Sequence, residues 1–371
     1  MHRLQGRLGL LAGDELPTVR TGVVLAAVAW LPPALFSLFD ERSWTIAYGT
    51  SFFADFGSYA RYLIAIFVLT VVDRGAEGRL NRLLACFVES GIIARDRYDA
   101  LTDVLTRADR RTSSPVAEVV MLVTAYALAA LTITRTAGLA ENMWLESAEG
   151  QLDLAGWWAV LVSTPLFFFL VLRWLWRFAV WAALLRGISR IPLSLVATHP
   201  DRAGGLGFLT LFPLIFVPFT LALSVVVASS ALQEVVFSSV AFEMLRNVTL
   251  LWITFVVLLF FGPLIAFSGN LLALRETGLI AHSKLVARYN RAAEQEMLAS
   301  DGRDQKLDID TISGVADLAP SLGTIYRIKP IPAEIWAVVP LVVAATVPMI
   351  MVASVQVPLG DLLRRLMGAF L

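Results

Sequence analysis

The residues with the clearest chemical potential stand together just ahead of a long apolar run: His199, Asp201, Arg202, Gly204, Gly205 and Gly207. A guanidinium beside closely spaced glycines at a helix start is the pattern of an anion site. The helix N-terminus offers free amides and a partial positive charge, and glycines let a phosphate or carboxylate approach closely. The same residues also fit a tight turn in which Asp201 caps the following helix and Arg202 touches lipid phosphates. His199-Pro200-Asp201 matches the tripeptide of J-domains, which stimulate chaperone ATPases. That domain needs a soluble helical hairpin around the tripeptide, whereas apolar segments crowd it here, so the match is rejected.

Arg61 is the second candidate, because it lies inside an apolar stretch with Asp55 six residues before it. A charge within a span costs about 2.5–3.5 kcal/mol on insertion scales and often marks a pathway or a buried pair. Asp55 is close enough in sequence to neutralise it; alternatively Arg61 merely snorkels to the outer interface. Beyond these two, chemistry is sparse. Cys86 is the single cysteine and sits in an apolar run, which suits an inert thiol, while His2, His199 and His282 are scattered. Without a nucleophile elbow, zinc-protease helix, Walker loop or paired intramembrane carboxylates, the sequence is read as a non-enzyme with no metal and no cofactor.

The elements that must position these residues are membrane spans. The chain of 371 residues is 57% hydrophobic and 16% charged, against roughly 45–50% and about 25% for soluble domains. Its net charge is zero, so no basic field is available for nucleic acid. Lipid offers the backbone no partners, and a helix needs about 20 apolar residues to cross. Stretches at 21–39, 56–72, 116–133, 156–180, 207–229, 248–267 and 335–354 qualify. If the N-terminus is inside, 24 of the 30 Lys and Arg fall on inner segments. The positive-inside rule then orients an all-α, polytopic chain of about seven helices, N-in and C-out, with cytoplasmic helical extensions.

The domain plan follows. Residues 1–20 form a cytoplasmic N-terminus, 21–73 the first two spans, and 74–115 a cytoplasmic helical loop. Spans three to six occupy 116–273, a cytoplasmic helical region 274–334, and the seventh span with an outer amphipathic tail 335–371. In the first inner loop one helix is expected from 77 to 89, stopped by Ser90-Gly91, and another from 95 to 110 with Tyr98, Leu101, Val104 and Leu105 on one face. Beyond Phe267 one helix is expected to leave the bilayer, with Gly278, Ala281, Leu285, Tyr289 and Ala292 on a stripe. A short helix at 310–318 should follow. Pro340 and Pro348 predict an irregular seventh span, and the tryptophans, with Arg173 and Arg177, read as interfacial anchors.

Three stretches resemble a family of bacterial multi-span inner-membrane proteins to which no activity is attached. They are the loop from His199 to Leu209, the run from Gly278 to Tyr289 with Ala316-Asp317-Leu318, and Pro358-Leu359-Gly360-Asp361-Leu362-Leu363. The resemblance implies a bacterial inner-membrane location. A looser likeness, of topology alone, is to the seven-helix channels of insect chemoreception. The expected function is a channel or permeation protein, homo-oligomeric, in contact with the bilayer and with an anionic lipid or small anion. The alternative is a scaffold or sensor that docks a cytoplasmic partner through the face of Tyr98 and Leu101.

Overall fold

A computed structural model describes residues 16–39, 51–136, 144–145, 152–237, 242–299 and 322–356. The regular elements among them are helical, and seven helical runs are long and apolar enough to cross a membrane. The all-α, multi-pass architecture is therefore the one the chain adopts. The expectations for the residues before Leu16, the helix at 310–318 and the tail after Pro358 lie outside the described residues.

Helix α1 spans Leu16–Ser37, and α2 runs from Phe56 to Glu89. The sequence suggested a span ending at 72 and a separate helix from 77. The two are one helix of 34 residues, because the glycines between them do not stop it while Ala76 and Leu80 are buried on its inner face. It ends at Ser90-Gly91, where Gly91 takes the positive φ of +71° that lets a chain leave a helix. Helix α3, Tyr98–Thr112, turns back, and α4, Pro115–Thr136, crosses. Helix α5 runs from Leu154 to Ser189, with Asp153 accepting from the Gly156 amide at its start. Two 3-10 turns precede α6, Val217–Phe237.

Helix α7, Phe242–Phe261, continues through a 3-10 turn at Gly262–Phe267 into α8, Ser268–Ala299. The run is unbroken beyond Phe267, as expected, and Pro263 marks its change of pitch. The last span, α9, covers Val338–Gln356. Its irregular middle was not found: α9 stays helical through Pro348, and Pro340 falls in its first turn, where no amide donor is required.

At 1.5 Å per residue α2 and α5 reach about 51 and 54 Å, well beyond the ~30 Å hydrocarbon layer. Both overhang at the end where α1 begins, which carries the arginines of α3 and of the loop after α5 and is the basic end of the bundle. Helix α3 lies antiparallel on the overhang of α5. The Arg97 guanidinium donates to the Pro192 carbonyl at one end, and the Trp176 indole donates to the Arg111 carbonyl at the other.

Lipid is as apolar as leucine, so spans associate through close packing and hydrogen bonds. Helix α1 meets α2 through Gly22, Ala26 and Ala29; a Cβ on Gly22 would stand 2.8 Å from Val71 Cγ2. Two π-helical segments, Tyr59–Ala65 in α2 and Ala159–Ser163 in α5, lie near a buried hydrogen bond of 2.8 Å between Tyr62 and Thr164. Ser163 donates to the Ala29 carbonyl, and Trp174 to that of Leu69. The tryptophans are thus not simply an interfacial belt. Trp174 and Trp181 are buried in an aromatic core with Phe178, Phe212, Phe219 and the stacked pair Phe216 and Phe260, whose centroids are 4.6 Å apart.

These contacts predict a contrast in thermal unfolding in detergent. Tyr62→Phe, which removes one interhelical hydrogen bond, should cost about 0.6 kcal/mol. Gly22→Leu, which drives α1 off Val71 and Phe67, should cost several times more; equal losses would contradict this packing.

Candidate functional site

The loop from Ile191 to Gly207 is built around one carboxylate. Asp201 Oδ1 accepts from the amides of Ala203 (2.9 Å) and Gly205 (3.2 Å). Its Oδ2 accepts from Gly205 (3.0 Å) and Gly207 (2.8 Å). His199 Nδ1 lies 2.7 Å from Oδ1. Burial by itself would raise the carboxyl's pKa, but the amides of Ala203, Gly207 and Gly205 and the His199 contact outweigh it and hold the group below its ordinary 3.8.

The glycines make this cradle possible. Arg202, Gly204 and Gly205 take φ values of +55°, +66° and +99°, a run of left-handed backbone that wraps the amides inward. A Cβ on Gly204 would reach 2.6 Å from Leu274, and one on Gly207 would lie 2.9 Å from Asp201 itself. The anion that this nest of amides holds is therefore the chain's own. An external anion would meet the exposed Arg202 guanidinium and not those three amides.

The closed loop ties the basic end together. The Lys329 amide donates to the Arg202 carbonyl at 2.9 Å, and the Ser194 amide to that of Ile92 at 2.8 Å. The Asn270 side chain donates to the Ser189 carbonyl, and the Glu334 amide to the Thr210 hydroxyl. Gly278 of α8 fits closely against Ala197 and Ile325. Four separate parts of the chain thus converge on the loop: the α2–α3 turn, the end of α5, α8 and the approach to α9.

Arg61 and Asp55 form the other expected site, at the opposite end of the bundle. Their side chains lie 3.6 Å apart, and Arg61 Nε also donates to the Gly57 carbonyl at 3.1 Å. Asp55 is buried, caps α2 through the Gly57 amide, and accepts from the Ser58 hydroxyl. The arginine is folded back on its own helix start, with 26% of its side chain exposed. The structure brings this pair together and keeps it far along the chain from the Asp201 loop.

A third cluster was missed. Arg177, read from sequence as an interfacial anchor, is buried and paired with Asp73 of α2. Arg173 reaches the same carboxylate at 3.4 Å, and Arg177 also approaches Glu77 at 4.0 Å and lies over the Trp181 ring. The sequence does carry the signal. Asp73 and Glu77 are four apart on one helix, Arg173 and Arg177 four apart on another, so each helix shows one charged face to its partner. Among the described residues no three His, Cys, Asp or Glu side chains converge as a metal site.

When the chain is compared with protein-family models, with curated proteins and with solved structures, nothing matches.

Two outcomes follow. Arg177→Met leaves Asp73 short of its main partner and should cost about 3–5 kcal/mol, whereas Arg173→Met should cost far less and Asp73→Leu with Arg177→Met should recover much of the loss. Thermal melts of the three variants check this. For Asp201, folding lowers proton affinity, so its stabilisation is complete above the ordinary carboxylate value and is lost as pH falls through the depressed one. Melting temperature should therefore drop below about pH 4 in the wild type, and Asp201→Asn should be less stable at neutral pH with a flatter acid limb. An unchanged acid limb in that variant would contradict the cradle.

Proposed function

We propose that the chain is the subunit of a homo-oligomeric membrane channel or permeation protein, with its basic end in the cytoplasm and its conduit formed between protomers. The observation that carries this reading is the projecting part of α8. Gly278 is covered by the chain itself, but Ala281, Leu285 and Ala292 on the same stripe are exposed, as is Ile280. An apolar stripe on a helix beyond the membrane is unfavourable in water, and self-association between copies covers it. The conduit is assigned between protomers because the middle of each protomer is filled by the stacked aromatic side chains around Phe216 and Phe260. The orientation rests on the excess of arginine and lysine at the basic end.

The rival reading, a scaffold that docks a partner through α3, loses its main support. Leu101 and Val104 are buried, Tyr98 and Leu105 pack beside them, and Val104 sits directly over Gly187 of α5. That face is an internal contact.

The test combines mass and flux. In nanodiscs the protein should run as a defined oligomer and pass ions or small solutes when reconstituted in liposomes. Leu285→Glu should yield folded protomers, shown by an unchanged melting temperature, that neither associate nor conduct. A wild-type protein that is monomeric at all concentrations and impermeable in liposomes would overturn the reading.

A further inference from the structure

The inner surface of α5 at the basic end is flanked by two open clefts that share a wall. The first, of ≈ 810 Å³, lies between α3 and α5 and is lined by Arg97, Arg107, Arg111, Arg186 and Arg190, with Asp103 the one acid. Its floor is apolar, including Val180, Ala183 and Leu184. The second, of ≈ 870 Å³, lies between α5 and the α7–α8 junction and has Leu258, Leu259 and Pro263 in its wall. Arg186, Arg190 and Ala183 belong to both.

The charge arrangement is self-repulsive. Arg107 and Arg111 are four residues apart on α3, Arg186 and Arg190 four apart on α5, and like charges at this spacing oppose helix formation. All four are exposed, and among the described residues none of the four has a carboxylate within ion-pair distance. The buried Arg177, one face further round α5, is by contrast fully engaged by Asp73 and Glu77. Four guanidiniums drawn from two helices thus converge over an apolar floor without a counter-charge to match them.

The position is also specific. Arg111 precedes the start of α4 at Pro115 by four residues, so the first cleft opens where the chain enters the membrane. The second is walled by Leu258, a 69% exposed residue of the membrane-spanning α7, so it opens on the lipid side. A basic rim above apolar grooves at a membrane surface is the chemistry that takes an anionic lipid: the phosphate sits among guanidiniums while the chains cover apolar wall.

We propose that an anionic phospholipid of the leaflet facing the basic end binds here, its phosphate held by Arg107, Arg111, Arg186 and Arg190 and its two acyl chains divided between the clefts. The site is independent of the conduit reading, since a lipid can occupy it in a monomer or an oligomer. It also differs from the Arg202 loop, whose amides are closed on Asp201.

The full chain in neutral detergent tests this, using phosphatidylglycerol, phosphatidylcholine and inorganic phosphate as probes in native mass spectrometry and thermal melts. Phosphatidylglycerol should be retained and stabilising, phosphatidylcholine at least tenfold weaker, and inorganic phosphate without effect. Arg186→Gln with Arg190→Gln should lose at least tenfold in phosphatidylglycerol affinity, and Arg110→Gln, on the outer face of α3, should lose nothing. Ala183→Phe fills the shared floor with the arginines intact and should also abolish retention, which keeps the test open should the double variant misfold. Equal retention of both lipids, equal weakening by Arg110→Gln, or binding of inorganic phosphate as tight as that of the lipid would overturn the proposal.

Discussion

Two helices are longer than a bilayer is thick, and one ion pair sets how they lie together. The carboxylate of Asp73, gripped by Arg177, joins α2 and α5 in the half of each helix that runs to the basic end. Such a pair is a poor source of net stability, because desolvation offsets most of its attraction. Its consequence is register. With the Tyr62–Thr164 and Trp174–Leu69 hydrogen bonds along the same seam, the pair fixes α2 against α5, and with them the overhangs beyond. Everything at the basic end is then built on them. Helix α3 lies along α5, Phe87 of α2 packs against Phe208 and Phe267, and the Asp201 loop closes over the ends of both.

The Asp201 loop performs the matching task with backbone in place of spans. Its three left-handed residues aim their neighbours' amides at one carboxylate, and its outward carbonyls then serve as acceptors for distant segments such as Lys329. Loop and ion pair together hold a defined layer at the basic end, where the clefts of α5 open.

The spans were legible in the sequence because burial in lipid demands an uninterrupted apolar run, and each of the seven appears as one. The length of α2 was not, because hydropathy falls at Arg74 to Gly78 while the helix continues. What carries it across is the burial of Ala76, Leu80 and Leu84 against other helices, a tertiary fact that no local property of those glycines reports. The tryptophans misled for a related reason: an indole at the end of an apolar stretch suits an interface and suits equally a hydrogen bond to a neighbouring helix, and Trp174 takes the second. The cap by Asp201 and the pairing of Arg61 with Asp55 were readable from local spacing. Asp73 was not singled out, since its partner is 104 residues away and only the matched four-residue spacing on both helices hints at it. The burial of Leu101 and Val104 shows the limit of an amphipathic pattern, which says that a face is covered and not by what.

The proposed function requires a closed protomer that works in an assembly. A cryo-electron microscopy reconstruction of the protein in nanodiscs containing phosphatidylglycerol tests that claim most directly. It predicts a closed ring of copies in contact through the α8 stripe at Ala281 and Leu285, with a polar path between protomers and none through the aromatic core. A solitary particle, or a water-filled path running through the middle of one protomer past Phe216 and Phe260, would contradict it.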